Sequence, residues 1–447
     1  MSALDKNLLR LKYNKLTPRP IGLPSGSANR SVGNNASRFK RDYKPIDYKD
    51  YFECFKTINL TDSGEDSFRV YLSGFQKDST SSSLVLVLLH GGGYSGLTWS
   101  LFTKHIRELC VCRVIAIDLR GHGGSSCKNE TDLSVPTLTS DIGKIVKAVL
   151  DEKNEDIDLP PIVIIGHSMG GALAVHCTHQ LMEILPSILG IIVIDVVEGT
   201  ALDALQSMQS VLKGRPKSFQ SLENAIEWCL KSGQTRNLEA ARISMPGQLK
   251  NLITGAPATD DVIDKLSTST SDQEESDSSS SGRRLFDSDD QIPEENEPAD
   301  ENEDSDDVNK SKSSTSSSLE TSIEEKSPEM SESPKQSDDH QKTEYTWRIN
   351  LSKSEPYWKS WFQGLSELFL SSPVHGKLLL LAGIDNLDRQ LTIGQMQGKF
   401  QLQVLPQCGH AVHEDVPEKV ADTIATFLVR NRFTEAIKEF DRPFPSC

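Results

Sequence analysis

The sequence predicts an α/β protein built on a doubly wound, mostly parallel β-sheet. Short apolar runs such as LVLVLLH (84–90) and IVIIG (162–166) alternate with helical patterns along most of the chain. These runs are continuously apolar, as expected of parallel strands that are covered on both faces. Repeated strand–helix alternation indicates βαβ units, and such units place helices on both sides of one sheet.

Individual strands and helices follow from this alternation. Strands are expected at 68–75, 84–90, 113–119, 162–166, 190–195, 377–383 and 400–405. Helices are expected near 99–110, 137–150, 169–182 and 417–431. Thr137 and Asp141 suit a helix start. Pro417 suits the first turn of the last helix, because proline lacks an N–H that would be unpaired there anyway.

Residues 199–260 interrupt the strand–helix alternation. The segments TALDALQSMQSVL, SLENAIEWCLKSG and LEAARISMPGQL read as three amphipathic helices with no strand between them. Open α/β sheets bind their ligands at the carboxyl ends of the strands. A helical segment inserted late in such a sheet would cover those ends. We therefore expect a helical lid formed by residues 199–260 and 343–372.

The acidity of the chain is concentrated in one stretch. The formal net charge is −16, yet residues 271–340 alone hold 23 Asp and Glu against 6 Lys and Arg. The same stretch holds 19 serines and too little apolar surface to offset the entropy lost on ordering. We expect residues 265–342 to form a disordered, acidic, Ser-rich loop in the lid. A solvated spacer is the simpler interpretation, and a regulatory or docking segment is the alternative.

The N-terminal 42 residues form a second non-globular segment. They are rich in Pro, Gly, Ser, Asn and basic residues, which predicts a disordered tail at 1–42 before a domain at 43–447. The chain shows no secretory signal, no run of 18 apolar residues, and no disulfide or zinc spacing among its eight cysteines. We expect an intracellular protein, cytoplasmic or nuclear, with no metal or cofactor and no membrane or nucleic-acid partner.

The segment IVIIGHSMGG carries a candidate nucleophile, Ser168, between a strand and a helix. Its Gly166-x-Ser168-x-Gly170 pattern is short enough to arise by chance, so its position decides its weight. A nucleophile elbow needs small flanking residues, because the serine sits in a sharp, strained strand-to-helix turn. Strand, motif and helix occur here in that order. This favours a serine hydrolase of the α/β-hydrolase fold over a serine in an ordinary Gly-rich turn.

A second glycine-rich loop, His90-Gly91-Gly92-Gly93, follows an earlier strand. In this fold such a loop donates one backbone N–H to the oxyanion, and the residue after the nucleophile, here Met169, donates the other. Gly92 is the candidate for the first donor, and Gly91 and Gly93 stay open as alternatives. A phosphate-binding loop is disfavoured, because no Gly-Lys-Ser or Gly-Lys-Thr follows the glycines.

The general base is expected late in the chain, because this fold runs nucleophile, acid, histidine. The segment QVLPQCGHAVHEDVP supplies His410 and His413 between the last strand and the last helix. We assign His410 as the base that takes the Ser168 proton and later delivers it to the leaving alcohol. His413 is assigned structural contacts, and His122 and His167 are placed in loops at the active face.

Two places can supply the carboxylate of a Ser–His–acid triad. One is the loop after KLLLLAG, with Asp385 and Asp388, and the other is Asp195 at the end of IIVID. Order along the chain mildly favours Asp388. The alternative role for either carboxylate is to cap a helix or a turn.

Several longer segments carry a more specific signal. They are HGGGYSGLTW, IDLRGHG, GHSMGGALAVH, IDVVEGTALDALQSMQ, SLENAIEWCLKSGQTRNLEAARISMPGQ, YTWRINL, LTIGQMQGKFQLQVLPQCGHAVHED and the closing FPSC. Together they resemble the protein phosphatase methylesterase family over most of residues 40–260 and 343–447.

This resemblance implies a carboxylesterase that removes the methyl ester from the carboxyl-terminal leucine of the protein phosphatase 2A catalytic subunit. It also implies a stable complex that holds the phosphatase inactive. The acid of the family lies in the DVVEG segment, so the resemblance selects Asp195 and leaves structural roles to Asp385 and Asp388. A general small-ester carboxylesterase and a mainly non-catalytic phosphatase-binding regulator are the alternatives.

Overall fold

The structure, a computed structural model, describes residues 41–61, 63–76, 83–151, 159–265, 344–383 and 387–442. The expected tail (1–42) and acidic loop (265–342) lie almost entirely outside these ranges, as does Asp385, and their disorder stays a prediction. The described residues belong to one structural unit, which the chain builds from both sides of residues 271–341.

Two β-sheets occur among the described residues. The strands of the main sheet are β1 (Cys54–Asn59), β2 (Ser67–Ser73), β3 (Val85–Leu89), β4 (Arg113–Ile117), β5 (Ile162–His167), β6 (Ile188–Ile194), β10 (Gly376–Leu381) and β11 (Gln401–Val404). The strands of the small sheet are β7 (Ser218–Phe219), β8 (Leu249–Asn251) and β9 (Tyr345–Trp347).

The main sheet has the strand order β1-β2-β4-β3-β5-β6-β10-β11. β2 pairs antiparallel with β1 and with β4, and the other neighbouring strands pair in parallel, which confirms the doubly wound, mostly parallel sheet. The chain winds to one side of β3 with β4 and to the other side with β5 and β6. The loops that follow β3 and β5 therefore meet at the point where the winding direction changes, which is where such sheets bind ligands.

Helices cover both faces of the main sheet. The α-helices are α1 (Ser100–Leu109), α2 (Val135–Asp151), α3 (Met169–Gln180), α4 (Glu198–Lys213), α5 (Leu222–Ser232), α6 (Leu238–Ser244), α7 (258–265), α8 (Glu355–Phe362), α9 (Leu365–Ser371), α10 (Arg389–Met396), α11 (Val412–Asp415) and α12 (Pro417–Arg430). None of these described helices combines the length and the apolar character that crossing a membrane requires.

The side chains of β3 divide between two cores. Val85, Val87 and Leu89 pack with residues of α2 and α3, whereas Leu86 and Leu88 pack with residues of α1 and α12. All five are fully buried, which explains why this strand is a continuous apolar run in the sequence. Each buried aliphatic side chain stabilises the fold by about 1.5–3 kcal/mol.

The lid region differs from the sequence expectation, because strands do occur between its helices. The small sheet has the order β7-β9-β8, and Tyr345 of β9 lies opposite both Phe219 and Asn251. The expectation of helices alone is therefore wrong. Strands of two or three residues are too short to show a period of two, and β9 lies far from its partners in sequence.

The first strand, β1, is also absent from the sequence expectation. It forms an edge of the sheet, and only one of the six residues in CFKTIN is buried. An edge strand of mixed polarity gives neither a continuous apolar run nor a clean alternation, so neither template for a strand detects it.

Residues expected in the lid contact the loops at the carboxyl ends of the main strands. Arg348 donates to the carbonyl of Ser125 at 2.7 Å and forms two hydrogen bonds with Glu130. Trp361 Nε1–H donates to the carbonyl of Leu133 at 2.8 Å. These contacts hold the segment that follows β9 over the edge of the sheet where the candidate site residues lie.

A buried ion pair joins the loop after β4 to α2. Arg120 donates from Nε and Nη2 to the two oxygens of Asp141, at 2.7 and 3.0 Å, and both side chains are less than a tenth exposed. Asp141 therefore lies inside α2, which begins at Val135, and does not mark the helix start that the sequence suggested.

We expect Asp141→Asn to lower the free energy of unfolding by about 3 kcal/mol, because it removes the two-point counter-charge of a buried guanidinium and leaves only the longer contact with Asp66, at 3.5 Å. The matched control is Glu65→Gln, which removes an exposed carboxylate paired with Lys128 and should change stability by less than about 1 kcal/mol. Urea unfolding at neutral pH measures both. Equal losses in the free energy of unfolding for the two variants would show that the buried pair stabilises the fold no more than the exposed pair does.

Candidate active site

Ser168 lies in a sharp turn between β5 and α3. Its backbone has φ 53° and ψ −118°, a conformation that residues with a side chain rarely adopt. Its N–H donates to the carbonyl of Ile194 at 3.0 Å, and its carbonyl accepts from Gly171 at 2.9 Å and Ala172 at 3.1 Å. The neighbouring strand β6 and the first turn of α3 thus hold the strained residue in place.

The glycines around Ser168 are required by the space available. A Cβ on Gly166 would collide with the backbone of Gly170, and a Cβ on Gly170 would collide with the carbonyl of Leu89 at the end of β3. A Cβ on Gly171 would lie 2.8 Å from a methyl group of Val196. The glycines let the turn approach both neighbouring strands, as the motif predicts for a nucleophile elbow.

His410 and Asp195 are in direct contact. The His410 Nδ1–H donates to Asp195 Oδ2 at 2.8 Å, and Asp195 Oδ1 accepts the N–H of Ala382 at 2.9 Å. Asp195 has φ 51°, and its own N–H donates to the carbonyl of Leu380 at 2.8 Å. With Nδ1 protonated, the other ring nitrogen, Nε2, is the one able to accept a proton.

The remaining candidate acids are not at the histidine. Asp388 caps α10, since its Oδ1 accepts the N–H of Leu391 at 2.9 Å and its Oδ2 accepts the hydroxyl of Ser366. This is the capping role that the sequence left open for Asp388. Asp385 lies outside the described residues.

Ser168 and His410 are linked through His167. The Nε2–H of His167 donates to the backbone carbonyl of His410 at 2.9 Å, and the two imidazole centroids are 4.7 Å apart. Because His167 precedes Ser168 directly, this bond holds the His410 loop against the elbow. Within the described ranges no hydrogen bond joins the Ser168 hydroxyl to the His410 ring, which is 54% exposed.

Two buried histidines support the glycine loop after β3. Nε2 of His122 accepts the N–H of Gly93 at 2.9 Å, and Nδ1–H of His90 donates to the carbonyl of Gly91 at 2.8 Å. Burial lowers the pKa of His122 to about 4 and lowers the pKa of His90 well below its usual range. Both rings are therefore neutral near pH 7, and His122 can accept the glycine N–H only in that form.

Gly92 and Met169 lie next to each other beside Ser168. A Cβ on Gly92 would be 3.8 Å from the Met169 sulfur, and a Cβ on Gly91 would be 3.3 Å from the Ser168 Cβ. In the described part of the chain neither the Gly92 nor the Met169 N–H donates a hydrogen bond, whereas the Gly93 N–H is already bound to His122. Gly92 therefore has a free donor, and Gly93 does not.

His413 lies in the core behind the candidate base. Its Nε2 is 2.9 Å from the Thr98 hydroxyl, which in turn donates to Glu414 at 2.8 Å, and its ring lies 4.3 Å from that of Trp99. Burial lowers the pKa of His413 to about 3 and raises the pKa of Glu414 to about 7. His413 is fully buried, which agrees with the structural contacts expected for it.

Sequence reasoning missed two of these links. His122 and His167 were placed only in loops at the active face, and no spacing rule connects His122 to Gly93 or His167 to His410. Both contacts depend on a backbone group whose position follows from the fold. Among the residues that the structure describes, no group of three or more His, Cys, Asp or Glu side chains is placed to hold a metal ion.

Comparison with known proteins gives a family for this geometry. The model of the alpha/beta hydrolase family matches residues 86–275 and 315–423. Protein phosphatase methylesterase 1 of Mus musculus and that of Homo sapiens are each 47% identical to the chain, with both chains covered in full. The probable protein phosphatase methylesterase 1 of Caenorhabditis elegans is 38% identical and covers 96% of this chain and 87% of its own.

The family match covers the strands that carry Ser168, Asp195 and His410, and the identity to the relatives extends along the whole chain. The chain therefore belongs to the protein phosphatase methylesterase family of alpha/beta hydrolases.

Proposed function

We propose that this enzyme hydrolyses the methyl ester on the carboxyl-terminal leucine of the protein phosphatase 2A catalytic subunit, with Ser168, His410 and Asp195 as its catalytic triad. The observation that carries the proposal is the 2.8 Å hydrogen bond between His410 and Asp195 beside a strained Ser168. The names of the relatives support a methylesterase that acts on a protein phosphatase.

The first step is attack of the Ser168 hydroxyl on the leucyl ester carbonyl. The hydroxyl proton moves to Nε2 of His410, and the carboxylate of Asp195 orients the ring and stabilises its positive charge. Asp195 can do this because its second oxygen is fixed by the N–H of Ala382. The Ser168–His410 hydrogen bond would form when the substrate is in place, since catalytic hydrogen bonds are often long in free enzymes.

The tetrahedral oxyanion would be bound by the backbone N–H groups of Gly92 and Met169. Both are unused by the described residues, and Met169 begins α3, where the first N–H groups of a helix have no intrahelical partner. Each such donor typically contributes about 10²–10³-fold to the rate. Gly91 stays open as the alternative on the loop after β3.

Collapse of the first intermediate expels methanol, which takes the proton from His410. Water then gives a proton to His410, attacks the acyl-Ser168 carbonyl, and releases the leucine carboxylate and the free serine hydroxyl. Methanol offers almost nothing to recognise. Specificity must therefore come from the acyl side, which is the polypeptide of the phosphatase, and we propose that the same contacts let the protein hold and restrain its partner.

Ser168→Ala should lower demethylation by roughly 10⁴-fold or more while the phosphatase still binds, because only the nucleophile is removed. Methanol release from methylated phosphatase, measured beside p-nitrophenyl acetate hydrolysis, tests this. Undiminished turnover by the variant would exclude Ser168. Wild-type turnover of the small ester alone would favour a general carboxylesterase, and tight binding without turnover of either ester would favour a non-catalytic regulator.

Asp195→Asn and Asp388→Asn form a matched pair that locates the acid. We expect Asp195→Asn to lower kcat by about 10⁴-fold, because the amide cannot hold the imidazolium in the same way. Asp388→Asn should cost about 1 kcal/mol or less in stability, as a cap substitution, and should retain kcat. Steady-state kinetics and thermal unfolding of both variants give the answer, and the reverse pattern would move the acid to Asp388.

His122→Gln should change how stability depends on pH. The pKa of His122 is about 4 in the fold and about 6.5 when unfolded, so its contribution is complete above pH 6.5 and is lost as the pH falls towards 4. From pH 7.5 to 5.5 the wild type should lose about 1.4 kcal/mol more than the variant. Urea unfolding of both proteins at both pH values measures this loss. A stability difference between them that does not change with pH would show that the fold does not lower the pKa of His122.

A further inference from the structure

A groove lies between the end of α4 and the segment that follows β9. It encloses about 340 Å³, and its lining includes the cations Lys213, Arg215 and Lys217 and the apolar side chains of Leu212, Ile349 and Leu351. Among the residues that the structure describes, no acidic side chain lines it. The groove thus offers apolar surface together with positive charge.

One end of the groove reaches the candidate oxyanion loop. A Cβ on Gly93 would lie 2.8 Å from Leu351 Cδ1 and 3.9 Å from Arg215 Nη1, and a Cβ on Gly92 would lie 3.6 Å from Leu351 Cδ2. A polypeptide whose esterified end lies at Ser168 can therefore continue past Leu351 along the groove.

Arg215 is held in place without a counter-charge from any described residue. Its guanidinium lies 5.1 Å from the centre of the Trp347 ring, and the Trp347 Nε1–H donates to the carbonyl of Pro216 at 2.7 Å. Within the described residues neither Arg215 nor Lys213 or Lys217 forms an ion pair, and burial lowers the pKa of Arg215.

Two other poorly exposed arginines do have carboxylate partners. Arg69 pairs with Asp260 at 2.8 Å, and Arg348 pairs with Glu130 at 2.6 Å. A partly desolvated guanidinium is costly unless it is paired, and its five donors match a carboxylate in two-point contact. The acceptor missing at Arg215 is therefore expected on a bound ligand.

We propose that this groove binds an acidic stretch of the substrate polypeptide just before the esterified residue, with a carboxylate side chain on Arg215 and neighbouring apolar side chains on Ile349 and Leu351. The inference rests on the proposed function and specifies which part of the substrate polypeptide the groove binds. The ester group is neutral and methanol is small, so neither gives the cations beside the site a charged group to bind. We therefore expect these cations to bind acidic side chains of the polypeptide on the acyl side of the ester. Lys213 and Lys217, both exposed, add attraction that salt weakens.

The test uses peptide methyl esters that end in leucine, with Asp or Glu placed at one of the three preceding positions, and the corresponding Asn or Gln peptides. For the full-length wild type we expect kcat/KM to be about 10–100-fold higher for the best acidic peptide than for its amide counterpart, the usual worth of a charge-assisted contact. Arg215→Gln should bring that ratio close to one.

The matched control is Arg430→Gln, an equal change of charge at the end of α12. That end of α12 lies near the amino ends of the parallel strands, away from the candidate site. A Cβ on Gly376, the first residue of β10, would be 2.8 Å from the Phe433 ring. Arg430→Gln should keep the wild-type ratio. Arg215→Lys, which keeps the charge but loses the two-point fork, should give an intermediate ratio, and thermal unfolding of all variants shows whether they are folded.

Three results would overturn the proposal. They are a ratio near one in the wild type, a ratio that survives Arg215→Gln, and a ratio lost equally in Arg430→Gln.

If the wild type hydrolyses only p-nitrophenyl acetate, the proposed function fails, and the groove is then tested by direct binding of fluorescent acidic and amide peptides to Ser168→Ala. Tighter binding of the acidic peptide that depends on Arg215 supports the groove, and equal binding refutes it. Arg215 could instead bind the leucine carboxylate that hydrolysis produces. The product would then inhibit the enzyme in an Arg215-dependent way, while the wild type would show no preference among the ester peptides. That result also refutes the proposal.

Discussion

The close approach of three parallel strands around Ser168 is the constraint on which the rest of the site depends. A Cβ on Gly166 would collide with the backbone of Gly170, and a Cβ on Gly170 or Gly171 would collide with the end of β3 or with Val196 just after β6. Any side chain there would push α3 away from the sheet. That displacement would move Ser168 and the Met169 N–H together, because both belong to the turn that the glycines close. The positive φ of Ser168 is therefore sustained by packing and not by its own preference.

The same closeness gives the surrounding histidines structural roles. His122 must be neutral to accept the N–H of Gly93, and His167 donates to the backbone carbonyl of His410. Burial lowers the pKa of each and keeps the proton off near pH 7. Gly93 is thereby tied down while Gly92 is left with a free N–H. His410, the proposed base, is instead half exposed and fixed on one side by Asp195, which suits a ring that must exchange protons.

The sequence predicted the parts of this site that depend on local order. The strand–glycine–serine–helix series around Ser168, the glycines after β3 and the histidine after β11 are each readable from neighbouring residues. The proposed acid could not be predicted in this way, because Asp195 and His410 are 215 residues apart and meet only because β10 brings β6 and β11 together. Chain order alone favoured Asp388, and only the family resemblance selected Asp195. β1 and the strands of the small sheet were not predicted, because short strands and edge strands show too little hydrophobic periodicity.

The small sheet explains how the groove beside the site gets its shape. β9 lies between β7 and β8, so the segment that carries Trp347 and Leu351 is fixed to the segment that carries Arg215. The N–H of Glu344 donates to the carbonyl of Phe219 at 3.0 Å, which anchors the start of β9 on one side. The groove walls therefore come from sequence positions more than 100 residues apart, and only the three-dimensional structure shows that no described acidic side chain pairs with Arg215. A site that releases methanol needs such a surface, since all its selectivity must come from the chain that stays bound.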